Sequence, residues 1–247
     1  MGAPFSDITL YAPTPHEVGT PEYREDTSLK NFVSDLYVQM MHGYKPPKTT
    51  RVTIQPAFHN IWQGSNRIGS IVSIAPYYSY EDYAVLDKAG KYKYILDLIQ
   101  GVMLQLSDEH GWDKAVFERA YAEVIKTNFQ FHIDYPQKHS RDKNKKGSVS
   151  IEKSEMETTL FVCIEVNGVV IKRKLFEKKN GWCNDAAYLL ARHSKWFDND
   201  RFGISYSKGK LEMWYSISQD DVTHIKHGNR VKEIDFSNFF LIQYYIS

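Results

Sequence analysis

The spacing of apolar residues is clearest between residues 91 and 135, where it predicts two helices followed by a strand. The first helix carries an apolar stripe at one-face spacing, namely Ile95, Leu98, Ile99, Val102, Met103 and Leu106. Gly111 supplies the left-handed residue that ends such a helix, and Asp113 is a favourable N-cap for the next one. The sequence therefore predicts a central helical pair over 91–110 and 114–127.

Two further signals extend this prediction on either side of the second helix. Trp112 and Phe117 have the N′ and N4 spacing of a hydrophobic staple, which fixes the angle between the helices. After Asn128, apolar and polar residues alternate as far as Tyr135, as expected for a half-buried strand. The segment is therefore predicted to be a rigid helix–turn–helix that leads into a sheet.

The N-terminal part of the chain mixes short strands with helices. An apolar stripe predicts a helix over 29–42, and Pro21 is expected to keep the preceding chain extended. The capping-box pattern at Ser79 predicts a short helix over 80–88. Strand patterns occupy 7–11, 50–55 and 67–75.

Beyond Gly147 the pattern is almost entirely β. Asn167-Gly168 separates two alternating segments and predicts a two-residue type I′ hairpin in which Val166 faces Val169. A second hairpin is predicted to turn at Lys208-Gly209. The apolar segment 236–246 is expected to add a last strand.

These elements favour an α+β fold: a mostly antiparallel sheet on which the central helical pair and the N-terminal helix (29–42) pack. The polar, lysine-rich segment 136–147 is the best candidate for a boundary or an exposed hairpin loop. We therefore expect one domain over 1–247, or two subdomains, a mixed one over 1–137 and a β-rich one over 148–247.

Composition sets the class of protein but gives little indication of its activity. The chain has 247 residues, 42% hydrophobic and 14% aromatic, with a net charge of +1. Basic residues concentrate in 138–179, which carries 11 basic and 6 acidic side chains, whereas 1–137 carries 12 and 16. Two cysteines are too few for a disulfide scaffold, and no apolar run has the length of a membrane span. A cytoplasmic location without a membrane partner is expected.

The best candidate for nucleophilic catalysis is Cys183, which stands in a Gly-Trp-Cys-Asn-Asp turn. If this turn precedes a helix, the thiol pKa falls, His193 would act as the base, and Asp185 or Asp198 would orient it. Sequence alone does not bring these side chains together. No phosphate-binding loop, dinucleotide fingerprint, zinc-peptidase motif or nucleophile elbow is present.

The pair His224 and His227 is the candidate for metal ligation. In a strand, residues three apart point to opposite faces, so only a turn or a helix would let both rings reach one ion. No cysteine cluster or third histidine follows at a familiar spacing, and we expect neither a metal nor another cofactor.

An acidic corner at the end of the first helix of the pair is the candidate for partner binding. Asp108 and Glu109 lie in the last helical turn, where the helix dipole disfavours anions. Together with Trp112 they are predicted to form a docking surface for another protein, unless solvent or a nearby lysine accounts for them.

A basic segment is the candidate for nucleic-acid binding, since phosphate contacts require positive charge. Its residues are Lys138, Arg141, Lys143, Lys145, Lys146, Lys172 and Lys174. Lysine-rich strand connections are also common for solubility and for protection of sheet edges.

The sequence therefore favours a non-catalytic, protein-binding role, because aromatic residues are abundant and the acidic and basic regions are separated. A more specific form of this hypothesis is a bacterial immunity-type inhibitor of a cognate toxin. It rests on analogy in chain size and general character. The alternative is a hydrolase with a Cys/His or His/Asp site assembled by the fold. Nucleic-acid binding through 138–179 is the third hypothesis.

Overall fold

The computed structural model describes four stretches of the chain, residues 7–11, 13–57, 64–179 and 186–231. The described residues form two compact units, one up to Gln130 and one from Phe131 onward. The predicted α+β class with mostly antiparallel sheets is confirmed. The division into subdomains stays a prediction, and the predicted strand over 236–246 lies outside the described residues.

The first unit combines one four-stranded sheet with four helices. Its elements are β1 (Asp7–Leu10), α1 (Pro21–Met40), β2 (Arg51–Ile54), β3 (Ser65–Ile68), β4 (Ile71–Ile74), α2 (Tyr80–Ala84), α3 (Lys88–His110) and α4 (Lys114–Lys126). The strand order is β1-β2-β4-β3, and β2 is parallel to both β1 and β4. The parallel β1–β2 pair was not predicted; it arises because α1 carries the chain back across the sheet.

Helix α1 begins earlier than the sequence pattern suggested. The Thr20 side chain caps it by accepting a hydrogen bond from the Tyr23 N–H at 3.2 Å. Pro21 occupies the first turn, where its fixed φ favours the helix and its missing N–H costs nothing. The predicted start at residue 29 and the extended role of Pro21 were therefore wrong. The apolar stripe itself is confirmed, since Leu36 is fully buried.

The segment predicted as one strand over 67–75 is a hairpin of two strands, β3 and β4. Gly69 has φ +61° at the turn, and Ile68 pairs with Ile71 across it. A Gly-Ser pair between β-branched residues favours a type II′ turn. The prediction of a single strand over 67–75 did not take this signal into account.

The helical pair is confirmed, although α3 begins at Lys88, three residues before the predicted start, and the short helix predicted over 80–88 ends at Ala84. Gly111 adopts the left-handed conformation (φ +66°), and the Asp113 carboxylate accepts the Ala115 N–H at 3.1 Å. The rings of Trp112 and Phe117 lie 6.2 Å apart, as the staple predicts.

The strand after α4 starts later than predicted. Asn128 and Phe129 both have positive φ, so the alternating segment becomes a strand, β5, only at Phe131. Phe129 belongs to the first unit instead, where its ring stacks on Tyr92 at 4.9 Å. A period-two pattern therefore marked the strand but not the turn before it.

The second unit is built from two five-stranded antiparallel sheets and one short helix. Its elements are β5 (Phe131–Asp134), β6 (Lys138–His139), β7 (Lys145–Lys153), β8 (Glu157–Val166), β9 (Val169–Lys179), α5 (Ala186–Arg192), β10 (Ser194–Trp196), β11 (Arg201–Tyr206), β12 (Leu211–Ser216), β13 (Asp221–Lys226) and β14 (Asn229–Val231). One sheet has the order β5-β7-β8-β9, with β6 beside β7, and the other runs from β10 to β14. None of the helices in the described ranges is long and apolar enough to cross a membrane.

The predicted hairpin between β8 and β9 is confirmed. Asn167 (φ +51°) and Gly168 (φ +79°) form the turn, and Val166 pairs with Val169. A register shift near Leu160 places Leu175 and Phe176 in the core together, although neighbouring strand residues normally point to opposite faces.

The two sheets share one hydrophobic core, and two glycines of the second unit allow close contacts around it. A Cβ at Gly147 of β7 would lie 2.6 Å from the Phe202 ring, and a Cβ at Gly203 of β11 would lie 2.0 Å from the Met213 carbonyl oxygen. The predicted hairpin at Lys208-Gly209 is confirmed, and it pairs Phe202 with Tyr215 across β11 and β12. Only glycine fits at these two positions without displacing a neighbour.

Replacing Gly203 by alanine should destabilise the second unit by about 3 kcal/mol, because the added methyl group meets backbone and not a flexible side chain. Gly101→Ala is the matched control. Gly101 lies exposed within α3 with open space around it, so its replacement should stabilise the protein by about 1 kcal/mol. Urea unfolding, with hydrogen exchange of the β11 and β12 amides, measures both. Equal effects of the two substitutions would contradict the packing argument.

Candidate functional site

The acidic corner at the end of α3 is held by contacts within the first unit. Asp108 Oδ1 lies 2.5 Å from the ammonium of Lys114, and Glu109 accepts the backbone N–H of Ser65 at 3.2 Å. His110 Nε2 lies 3.0 Å from the Ser65 hydroxyl oxygen. These contacts offset the unfavourable helix dipole, so the acidic residues have a structural explanation as well as the predicted docking role.

Trp112 does not lie on the surface beside these residues. It is 5% exposed, and its ring packs 5.3 Å from His110. Its buried indole nitrogen has no hydrogen-bond partner among the described residues. A docking surface at this corner would therefore present Asp108 and Glu109 but not the indole ring.

The predicted nucleophile Cys183 and the candidate orienting residue Asp185 lie outside the described residues, and the alternative, Asp198, pairs with Arg201 at 2.7 Å. His193 follows α5 and is exposed, with its ring 5.1 Å from that of Tyr206. Its backbone N–H donates to the Leu190 carbonyl at 2.9 Å. The Cys/His site stays a prediction.

The two histidines considered for metal binding have different surroundings. His224 lies in β13, and its Nε2–H donates to the Leu175 carbonyl at 2.7 Å. His227 has φ +50° in the turn between β13 and β14. Across the four described stretches no three His, Cys, Asp or Glu side chains are grouped closely enough to hold a metal ion.

Most of the basic segment is paired with carboxylates of the second unit. The ion pairs are Lys145–Asp142 at 3.8 Å, Lys146–Glu165 at 3.1 Å, Lys172–Glu152 at 2.5 Å and Lys174–Glu177 at 3.0 Å. Lys138 donates to the Ser194 carbonyl, while Arg141 and Lys143 are exposed in the loop after β6. Such pairing weakens the positive field that phosphate binding requires. Nucleic-acid binding therefore stays a prediction without added support.

The first part of β9, here called the β9 edge (Val169–Lys174), was not singled out from the sequence. Val169 and Val170 are 65% and 64% exposed, whereas Leu175 further along the same strand is 1% exposed. Among the described strands, β9 pairs with β8 alone. The sequence signal was available, since the predicted hairpin register places two valines together next to its turn.

A second feature that the sequence analysis did not predict is a buried ion pair in the first unit. Asp26 and Lys30, one turn apart on α1, lie 2.5 Å apart with 8% and 2% of their surface exposed. The Lys30 ammonium is 5.7 Å from the centre of the Tyr78 ring and 5.3 Å from that of Tyr83. We call these four residues the Lys30 cage. With the predicted helix start at residue 29, Asp26 fell outside the helix, so this spacing went unnoticed.

Electrostatics in the Lys30 cage reflect its burial. Loss of hydration lowers the pKa of Lys30, and the charge and hydrogen bond of Asp26 offset only part of this effect. Burial, reinforced by the negative charge of Asp26, raises the pKa of both Tyr78 and Tyr83. Both phenols are therefore neutral near pH 7. The buried hydroxyl of Tyr83 interacts with the Asp26 carboxylate, whereas that of Tyr78 makes no hydrogen bond within the described part of the chain.

The acidic corner should make the first unit sensitive to pH. Burial, together with the charge of Arg67, lowers the pKa of His110. The unfolded chain therefore binds a proton more readily than the folded one, and stability falls as pH drops from 7.5 toward 5.5. His110→Asn should reduce this slope, measured by hydrogen exchange of the β3 and β4 amides. Equal slopes in the two proteins would show that His110 does not carry the effect.

Comparison with known proteins adds no relative from which a function can be transferred. The chain matches no protein-family model, no curated protein and no solved structure. The β9 edge and the Lys30 cage are therefore interpreted from their own geometry and chemistry.

Proposed function

We propose that this chain is a non-catalytic protein-binding module that contacts its partner through the β9 edge. The observation that carries the proposal is the exposure of Val169 and Val170. Two adjacent valines about two-thirds exposed at the start of an edge strand are unfavourable in water and favourable against a partner.

The hairpin geometry supports pairing with an added strand. A two-residue turn makes Val166 and Val169 a hydrogen-bonded pair, so the N–H and C=O of Val170 and Lys172 point away from β8. These outward groups match the backbone of an extended segment. Main-chain bonds would supply affinity, and the alternating side chains would supply specificity.

The side chains of the β9 edge define the chemistry of the partner segment. An apolar side chain would cover Val170, and acidic side chains would lie near Lys172 and Lys174. The present carboxylate partners of these lysines, Glu152 and Glu177, are about half exposed, and such ion pairs are worth only about 0–1 kcal/mol. A partner carboxylate can therefore share or replace them, while lysines on an edge oppose pairing between two copies of the chain.

A narrower version of this proposal is a bacterial immunity-type inhibitor that occludes a cognate toxin through the β9 edge. A toxin gene beside the gene for this chain would favour it. No cofactor is required in this version. The hydrolase alternative depends on Cys183 and His193, and it would be favoured by a turnover that is lost in Cys183→Ala.

The test compares two surfaces of the same protein. A photo-crosslinking amino acid at position 170 should capture the partner in an extract of the source cells, and the same group at Asp108 serves as the control. With the captured partner purified, Val170→Lys should raise the Kd about 10-fold or more, because a charge replaces a central apolar contact. Asp108→Lys should leave the Kd unchanged.

Three results would contradict the proposal. One is crosslinking from position 108 but not from 170, which would move the interface to the acidic corner. Another is a Kd that Val170→Lys leaves unchanged. The third is a salt-dependent complex with nucleic acid that charge reversal at Lys143 abolishes, since this would favour the basic segment.

A further inference from the structure

The Lys30 cage surrounds a buried ammonium group at a position where an apolar side chain is normally expected. Lys30 lies on the buried face of α1, between residues of the apolar stripe, and is 2% exposed. An unpaired ammonium there would be strongly unfavourable. Asp26 supplies the opposite charge at 2.5 Å, which makes the position tolerable.

Aromatic faces complete the surroundings of the ammonium group. The Tyr78 and Tyr83 rings lie within 6 Å of Lys30 Nζ, the range in which the ring quadrupole attracts a cation. Tyr78 is 0% exposed and Tyr83 is 1% exposed, so little water screens the attraction. Aromatic ring faces attract organic ammonium groups, and a carboxylate accepts charge-assisted hydrogen bonds from a primary ammonium.

The hydroxyl groups of the two tyrosines are a further sign of a polar site. Both are buried: that of Tyr83 interacts with the Asp26 carboxylate, and that of Tyr78 forms no hydrogen bond among the described residues. A buried hydroxyl without a partner is unfavourable and calls for a specific reason. The Asp26 charge acts on both phenols, so these hydroxyls belong to the same polar site as the ion pair.

We propose that Asp26, Tyr78 and Tyr83 form a binding site for a primary alkylammonium group, which this chain fills with its own Lys30 as a tethered ligand. The tether joins α1 to the segment from Tyr78 to Ala84, which contains α2. Occupation of the site therefore holds α2 against α1. The inference concerns the first unit and is independent of the β9 edge.

Chemical rescue tests the site. Lys30→Ala removes the equivalent of propylammonium and should lower the melting temperature of the first unit by on the order of 10 °C, because the Asp26 charge is left buried and unpaired. Added propylammonium should recover part of this loss in a saturable manner. It should also slow hydrogen exchange in residues 78–84. The neutral analogue 1-propanol should recover neither.

Lys93→Ala is the matched control. Lys93 also pairs with an aspartate four residues later, Asp97, and lies 5.5 Å from the Tyr121 ring, but this pair is about half exposed. Removing Lys93 should change the melting temperature little, and propylammonium should have no saturable effect on that variant. The control separates a buried amine site from a general effect of amine salts.

A second variant keeps the proposal falsifiable if Lys30→Ala does not fold alone. Lys30→Met fills the same volume without a charge; it should remain destabilised and should not respond to propylammonium. A Lys30→Met protein as stable as the original would overturn the proposal, since the cage would then need only an apolar side chain. Failure of propylammonium to restore folding or stability to Lys30→Ala would overturn it equally.

Discussion

Face-to-face packing of the two sheets in the second unit is the contact on which most of this structure depends. Strand β8 lies inside its sheet and buries Leu160, Val162 and Ile164 completely. Phe202 enters from the opposite sheet where Gly147 leaves room for its ring. The two sheets share one hydrophobic core, and dense packing of this kind fixes strand register more firmly than propensity does.

The same packing explains why one strand has two different halves. Along β9, Leu175 and Phe176 lie under the opposite sheet, and Arg173 stands over the Tyr215 ring while it pairs with Asp220 at 2.8 Å. The strand extends past this cover, and its first residues meet water. The β9 edge therefore results from a hairpin that is longer than the sheet that covers it, and this exposure supports the proposed contact with a partner.

The unusual feature of the first unit is charge buried on the apolar face of helix α1. Replacement of a buried ion pair by apolar residues is often neutral or stabilising. Stability alone therefore does not explain why Asp26 and Lys30 are buried here. In the Lys30 cage the reason we infer is recognition of an ammonium group by Asp26, Tyr78 and Tyr83. At the acidic corner, by contrast, Glu109 and His110 fasten strand β3 through Ser65, which is a structural role.

The sequence by itself determined the features that depend on local backbone conformation. Gly111, Asp113 and the Asn167-Gly168 turn require particular backbone conformations, so the helical pair and the β8–β9 register were predictable. Only the tertiary structure decided the rest, because parallel pairing through α1, the burial of Trp112 and the assembly of the Lys30 cage join residues distant in sequence. In the sequence, Asp26 and Lys30 look like an ordinary exposed i,i+4 pair. Only the tertiary structure shows that Tyr78 and Tyr83 cover them. Periodicity marks the face a residue occupies, but only packing decides whether that face meets water.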